Sequence, residues 1–173
     1  MLIVFTGNGK GKTTAAIGQA LRAIGNGARV LMVQFIKGPW ESGEDKSSKT
    51  FGENFKIVKM GRGFVGTPCD KLPREEHVAA ARKALAFSLE EIKTGKWDIL
   101  ILDEVWVALS LNLLSHKEVS DFIHMANPLL EHLIMTGRGC TPEFIKRADL
   151  VTEMCEVKHP FASGVKAAKN LEF

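Results

Sequence analysis

The chain has 173 residues, of which 45% are apolar and 25% charged, and carries a formal net charge of +3. That length is enough for one domain, residues 1–173, with a buried core, and the mild, scattered charge shows no basic tract of the kind that marks a nucleic-acid footprint. Cys69, Cys140 and Cys155 lack CxxC spacing, which excludes a disulfide framework or a zinc site and points to ordinary buried thiols.

Leu2 to Thr6 is a short apolar run with no basic leader before it, so the sequence predicts a cytoplasmic protein. The run ends in Gly-Asn-Gly-Lys-Gly-Lys-Thr-Thr, and Ala15, Ala16, Ile17, Ala20, Leu21 and Ile24 then recur at helical spacing. This predicts strand, glycine loop, helix. Gly25 and Gly27 stop the helix, and Ala28 to Ile36 reads as a buried strand. Lys37 to Gly52 turns polar around Trp40 and predicts a surface loop of the length substrate lids have. Phe55 to Met60 is the next strand, followed by the flexible Gly61-Arg62-Gly63-Phe64-Val65-Gly66.

Pro73 opens a helix with Glu75 and Glu76 in its first turn, Lys93 in its last and Gly95 beyond it. Its stripe of Val78, Ala81, Leu85, Leu89 and Ile92 faces a core. Strands follow at Ile99 to Leu102, Leu129 to Met135 and Leu150 to Val157, and the tail from Lys158 to Phe173 reads as irregular. No apolar run is long enough to span a bilayer. Strands alternating with helices predict an α/β fold of the P-loop NTPase-like, RecA-like kind: a mostly parallel sheet of about six strands with helices on both faces. Ligands on such sheets bind at the carboxyl ends of the strands, where the glycine-rich and acidic motifs fall.

Gly7, Gly9 and Gly11 let successive amides and the start of a helix point at a phosphate, and Lys12 adds a point charge. Thr13 stands where a P-loop hydroxyl binds magnesium, with Thr14 beside it. Only Asn8, Gly9 and Lys10 separate Gly7 from Gly11, one residue fewer than the usual loop, so hydrolysis at the γ-phosphate does not follow from the motif. Asp103 and Glu104 end a buried strand, the place of the acidic partner of magnesium; a plain strand-end cap is the alternative. Arg138, between two glycines, can present its guanidinium to phosphate, whereas Arg62 in a similar frame is equally well a solvated turn residue. The five histidines show no metal spacing, and no nucleophile with a base is visible, so one substrate attacks another.

These segments together resemble the ATP:corrinoid adenosyltransferases: Phe5 to Ala16, Val33-Gln34-Phe35-Ile36-Lys37-Gly38, Leu102-Asp103-Glu104, Thr136-Gly137-Arg138-Gly139 and Val157-Lys158-His159. The resemblance implies transfer of the 5′-deoxyadenosyl group of ATP to the cobalt(I) of a reduced corrinoid, with release of tripolyphosphate. It implies nucleotide binding by Gly7, Asn8, Gly9, Lys10, Gly11, Lys12, Thr13 and Thr14, and magnesium or manganese at Thr13, Asp103 and Glu104. Lys12, Arg138 and Phe64 match the family's catalytic positions; where some members carry a tryptophan two residues after that phenylalanine, this chain has Gly66. A homodimer and a flavodoxin-type reductase are further implications. The alternatives are a P-loop kinase or NTPase acting at the γ-phosphate, which would yield ADP, and a nucleotide-dependent nucleic-acid module.

Overall fold

The structure, a computed structural model, describes residues 1–68, 70–160 and 164. In chain order it runs β1 (Leu2–Thr6), α1 (Lys12–Gly25), β2 (Val30–Gln34), α2 (Gly43–Ser48), a 3-10 segment (Lys49–Asn54), β3 (Phe55–Lys59), α3 (Arg74–Lys93) and β4 (Ile99–Asp103). Then come α4 (Val105–Ser110), α5 (His116–Ala126), a 3-10 turn (Asn127–Leu129), β5 (His132–Thr136), α6 (Pro142–Arg147) and β6 (Leu150–Glu153). The six strands form one sheet in the order β3-β2-β4-β5-β1-β6, and every pairing is parallel.

All residues of β1, β2 and β4 are buried, so these strands read as unbroken apolar runs rather than alternating ones. Alternate residues still face opposite layers. Leu31, Val33, Leu100, Leu102, Leu133 and Met135 pack under α3, α4, α5 and α6, with Trp106 against Phe144 at 5.1 Å. Ile3, Phe5, Met32, Ile101 and Ile134 face α1 through Ala16 and Ala20, whose small side chains let the helix lie close. The expected α/β architecture with helices on both faces is therefore present. Ala81, Leu85 and Ile92 of α3 are buried with Val78 and Leu89 packed beside them, while Leu21 of α1 faces solvent.

The region expected to be a plain loop, Lys37 to Gly52, contains α2 and the start of a 3-10 segment. Its stability comes from a cap rather than from apolar periodicity: the Asp45 carboxylate accepts from the Ser42 N–H at 2.6 Å and hydroxyl at 2.8 Å, and also pairs with Lys59. The strand expected to run to Val157 stops at Glu153, and all four residues of this edge strand are exposed. β5 starts at His132 because Asn127–Leu129 forms the 3-10 turn. Cys140 is half-buried, its thiol pushed up to about 12 by burial, but Cys155 is exposed, contrary to the expected buried thiol. Cys69 and most of the tail after Pro160 lie outside the described residues. No helix among the described residues is long and apolar enough to cross a membrane.

Candidate active site

Parallel strands put their carboxyl ends on one edge, and the phosphate-loop, acidic and Arg138 motifs leave the sheet there. The loop after β1 enters α1 with Gly7 at φ 94 and Gly11 at φ 111, a conformation that L side chains rarely adopt. Gly9 is required for a different reason. A Cβ there would sit 2.7 Å from the Cys155 carbonyl oxygen, and the Gly9 N–H donates to the Met154 carbonyl at 2.6 Å. The chain leaving β6 thus braces the loop from behind, a demand on glycine that the motif spacing did not reveal.

Lys12 is only 6% exposed, and its ammonium donates to the carbonyls of Gly7 at 2.8 Å and Gly9 at 2.6 Å. The side chain curls over the loop and ties it to the first turn of α1. Burial lowers the Lys12 ammonium below its ordinary range, with Arg138 acting the same way and Glu104 and Asp103 opposing.

Asp103 is fully buried at the end of β4 and is held by neutral donors. The hydroxyls of Thr13 and Thr136 donate to one carboxylate oxygen at 2.8 and 2.7 Å, and the Gln34 amide donates to the other at 3.0 Å. Glu104 follows at φ 62, and its N–H donates to Thr136 Oγ1 at 3.0 Å. Burial, then the neighbouring Asp103, raises the Glu104 carboxyl, while Lys12, Arg138 and Lys37 pull it down. One Glu104 oxygen, Oε2, is buried with no partner. Two carboxylates and a hydroxyl, one carboxylate oxygen buried and unsatisfied, are hard-oxygen donors of the chemistry that suits a magnesium or manganese ion.

Arg138 is exposed in its glycine turn, near enough to Lys12 and Glu104 to act on both charges. Gly137, at φ 137, is needed because a Cβ would lie 2.9 Å from the Val107 nitrogen, so the frame serves packing on α4 rather than freedom for Arg138. Asn8, Lys10 and Thr14 are exposed around the loop. The structure therefore brings Lys12, Thr13, Asp103, Glu104 and Arg138 together. Phe64 makes its ring contact elsewhere: 68% exposed, it stacks on Trp40 at 6.4 Å and 25°. Arg62 is exposed in the same loop. No group of three or more His, Cys, Asp or Glu among the described residues is placed to hold a metal by itself. A concavity of about 400 Å³ lined by Arg22, Asn26, Asp98, Glu131 and His132 contains none of the motif residues.

Two residues of the site, Gln34 and Thr136, stand inside segments that carry the family resemblance but were given no role there; each is a polar residue closing an apolar strand and is wholly buried. That position was the available signal. A model of the family "ATP:corrinoid adenosyltransferase BtuR/CobO/CobP" matches residues 1–173. The chain belongs to this family. Among the adenosyltransferases it resembles are the corrinoid adenosyltransferases of Pseudomonas aeruginosa and Escherichia coli K12, each 39% identical over the whole chain and over 83% and 85% of the relative. The corrinoid adenosyltransferase CobA of Salmonella typhimurium is 38% identical over 100% of this chain and 85% of its own. The flagellar accessory protein FlaH of Methanocaldococcus jannaschii shares the fold with a TM-score of 0.56, at 13% identity over 88% of this chain and 69% of its own.

Proposed function

We propose that this adenosyltransferase moves the 5′-deoxyadenosyl group of ATP to the cobalt(I) of a reduced corrinoid and releases tripolyphosphate. A cobalt–carbon bond forms as the C5′–oxygen bond breaks, and the departing oxygen keeps the electron pair. The observation that supports this reading is a glycine loop with cations and an acidic pair beside it and, among the described residues, no side-chain nucleophile paired with a base to activate it. Such a site supplies charge neutralisation and orientation, which suits a reaction whose nucleophile arrives with the second substrate.

In this reading Gly7, Asn8, Gly9, Lys10, Gly11 and Thr14 hold the triphosphate through loop amides and hydroxyl. Lys12 leaves its two carbonyl partners to meet phosphate oxygens, and Arg138 closes over them from the β5 side. Thr13, Asp103 and Glu104 hold magnesium or manganese, which neutralises phosphate charge when bound. Phe64 belongs to the corrinoid side. The whole chain acts as one domain, working as a homodimer in the cytoplasm with a flavodoxin-type reductant.

Anaerobic incubation with magnesium, ATP and cob(I)alamin tests the reading. Adenosylcobalamin and tripolyphosphate are expected in equal amounts; ADP and phosphate instead would make the protein a γ-phosphate enzyme.

A further inference from the structure

We propose that Gln34 is a positioning residue for the divalent cation, its side-chain oxygen accepting a hydrogen bond from a water that the ion carries. The inference deepens the proposed function and rests on its assignment of the cation to Thr13, Asp103 and Glu104.

Gln34 is the last residue of β2, in register with Asp103 of β4 on one side and with Lys59 of β3 on the other. It is wholly buried. A buried amide costs free energy unless both of its ends are bonded, and here one end is. Nε2 donates to Asp103 Oδ2 at 3.0 Å. That bond also fixes which way the amide faces, because turning it over would set two oxygen acceptors against each other. Oε1 is therefore held on the far side of the amide, buried and with no partner.

The backbone keeps the residue in place. The Gln34 carbonyl accepts from the N–H groups of Met60 at 3.0 Å and Gly61 at 3.1 Å, and the next residue, Phe35, donates its N–H to the Asp103 carbonyl at 3.0 Å. The amide is thus clamped to β4 by its side chain and to the end of β3 by its main chain.

The partner of Oε1 follows from its chemistry. An amide oxygen only accepts, so it repels phosphate and carboxylate oxygens and calls for an N–H or O–H. The nearby donors of the chain have other acceptors. Lys59, which shares a sheet face with Gln34, is engaged with Asp45 and the Trp40 carbonyl. Lys12 donates to the loop carbonyls, and the hydroxyls of Thr13 and Thr136 donate to Asp103 Oδ1. Magnesium gives up its waters reluctantly and keeps several when protein oxygens bind it, and the charge of the ion makes those waters strong donors. Gln34 is bonded to Asp103 and Asp103 to Thr13, so a hydrated ion at Thr13 comes to the same cluster. The other orphaned oxygen there, Glu104 Oε2, suits the ion itself.

Calorimetry that compares affinity for manganese–ATP with affinity for ATP in EDTA tests the contact without turnover, with electron paramagnetic resonance reporting the bound ion. Gln34→Met has the same reach and no acceptor. It should bind manganese–ATP about tenfold more weakly, the scale of one hydrogen bond to a charged partner, and metal-free ATP within about twofold of wild type. Gln34→Glu keeps an oxygen there and adds charge, so it should bind manganese–ATP at least as tightly as wild type. Unchanged manganese–ATP affinity in Gln34→Met overturns the contact. An equal loss for manganese–ATP and for metal-free ATP also overturns it, because general loosening of the site would do the same. Should Gln34→Met fail to fold, Gln34→Glu decides, and weaker manganese–ATP binding by that variant overturns the proposal. Wild-type protein that makes adenosylcobalamin alongside an unimpaired Gln34→Met sinks the contact alone; wild-type protein that makes none sinks the parent reading.

Discussion

Replacing Glu104 with Gln should make the ligand-free protein more stable and the ligand-bound protein inactive. Glu104 sits beside Asp103 with one oxygen buried and unpartnered, and its carboxyl is raised by burial and by that neighbour. An unsatisfied buried polar atom costs about 1–3 kcal/mol, and more when charged. Gln keeps the shape and removes the charge, so a gain of about 1 kcal/mol is expected, or about 2–4 °C in Tm for a chain of this size. The sign with pH follows from linkage. A carboxyl whose folded pKa lies above its unfolded value opposes folding when ionised, so the penalty is complete above the folded pKa and fades as pH falls through it. The advantage of Glu104→Gln should therefore be greatest near neutral pH and close on acidification. Magnesium and ATP at a hundredfold excess over Kd should add about 2.7 kcal/mol to wild type and much less to the variant, reversing the order of the two Tm values. Scanning calorimetry of both proteins at neutral and acidic pH, with and without magnesium–ATP, reads all of this. A ligand-free variant less stable than wild type at neutral pH would refute the reasoning, as would equal stabilisation of both by magnesium–ATP.

Lys12→Ala should abolish adenosyl transfer in a cob(I)alamin assay while leaving the circular dichroism of the fold intact, because the lost partners are two carbonyls that solvent can satisfy. Gly9→Ala should cost about 1–3 kcal/mol in a urea titration and also remove ATP binding by calorimetry, since the new methyl meets the Cys155 carbonyl. Thr136→Val preserves volume but strips Asp103 of a donor and the Glu104 N–H of its acceptor; a loss of about 2–4 kcal/mol in chemical unfolding is expected. Arg138→Lys should lower kcat by about tenfold or more, because a single ammonium cannot reproduce a two-pronged grip on phosphate.

The sheet and the meeting of the motif residues on one of its edges were legible because local signals agree with the global arrangement. The apolar runs at 2–6 and 99–102 stand beside glycine or acidic residues, and a parallel strand buried on both faces writes itself as such a run. Lys12, Thr13, Asp103 and Glu104 followed from the same logic, since strand ends on one edge must meet. What escaped was whatever depends on a distant partner. α2 is held by an Asp45 cap and a lysine from β3, neither of which leaves a periodic trace. Gln34 and Thr136 matter because both bond Asp103 across 69 and 33 residues of sequence. The reason for Gly9 lies with residues near 155, and the pairing of Trp40 with Phe64 joins two loops that spacing cannot relate.

The brace behind the phosphate loop divides its demands unevenly between two stretches of chain. The obstacle that excludes a side chain at Gly9 is main chain, from Met154 and Cys155, and main chain is supplied by any residue. Drift in sequence after β6 can proceed without touching the loop, so long as the backbone keeps its path. A shift of that path by an insertion or deletion would instead deform the glycine loop from some 145 positions away in the chain, through a contact that an inventory of side chains would miss.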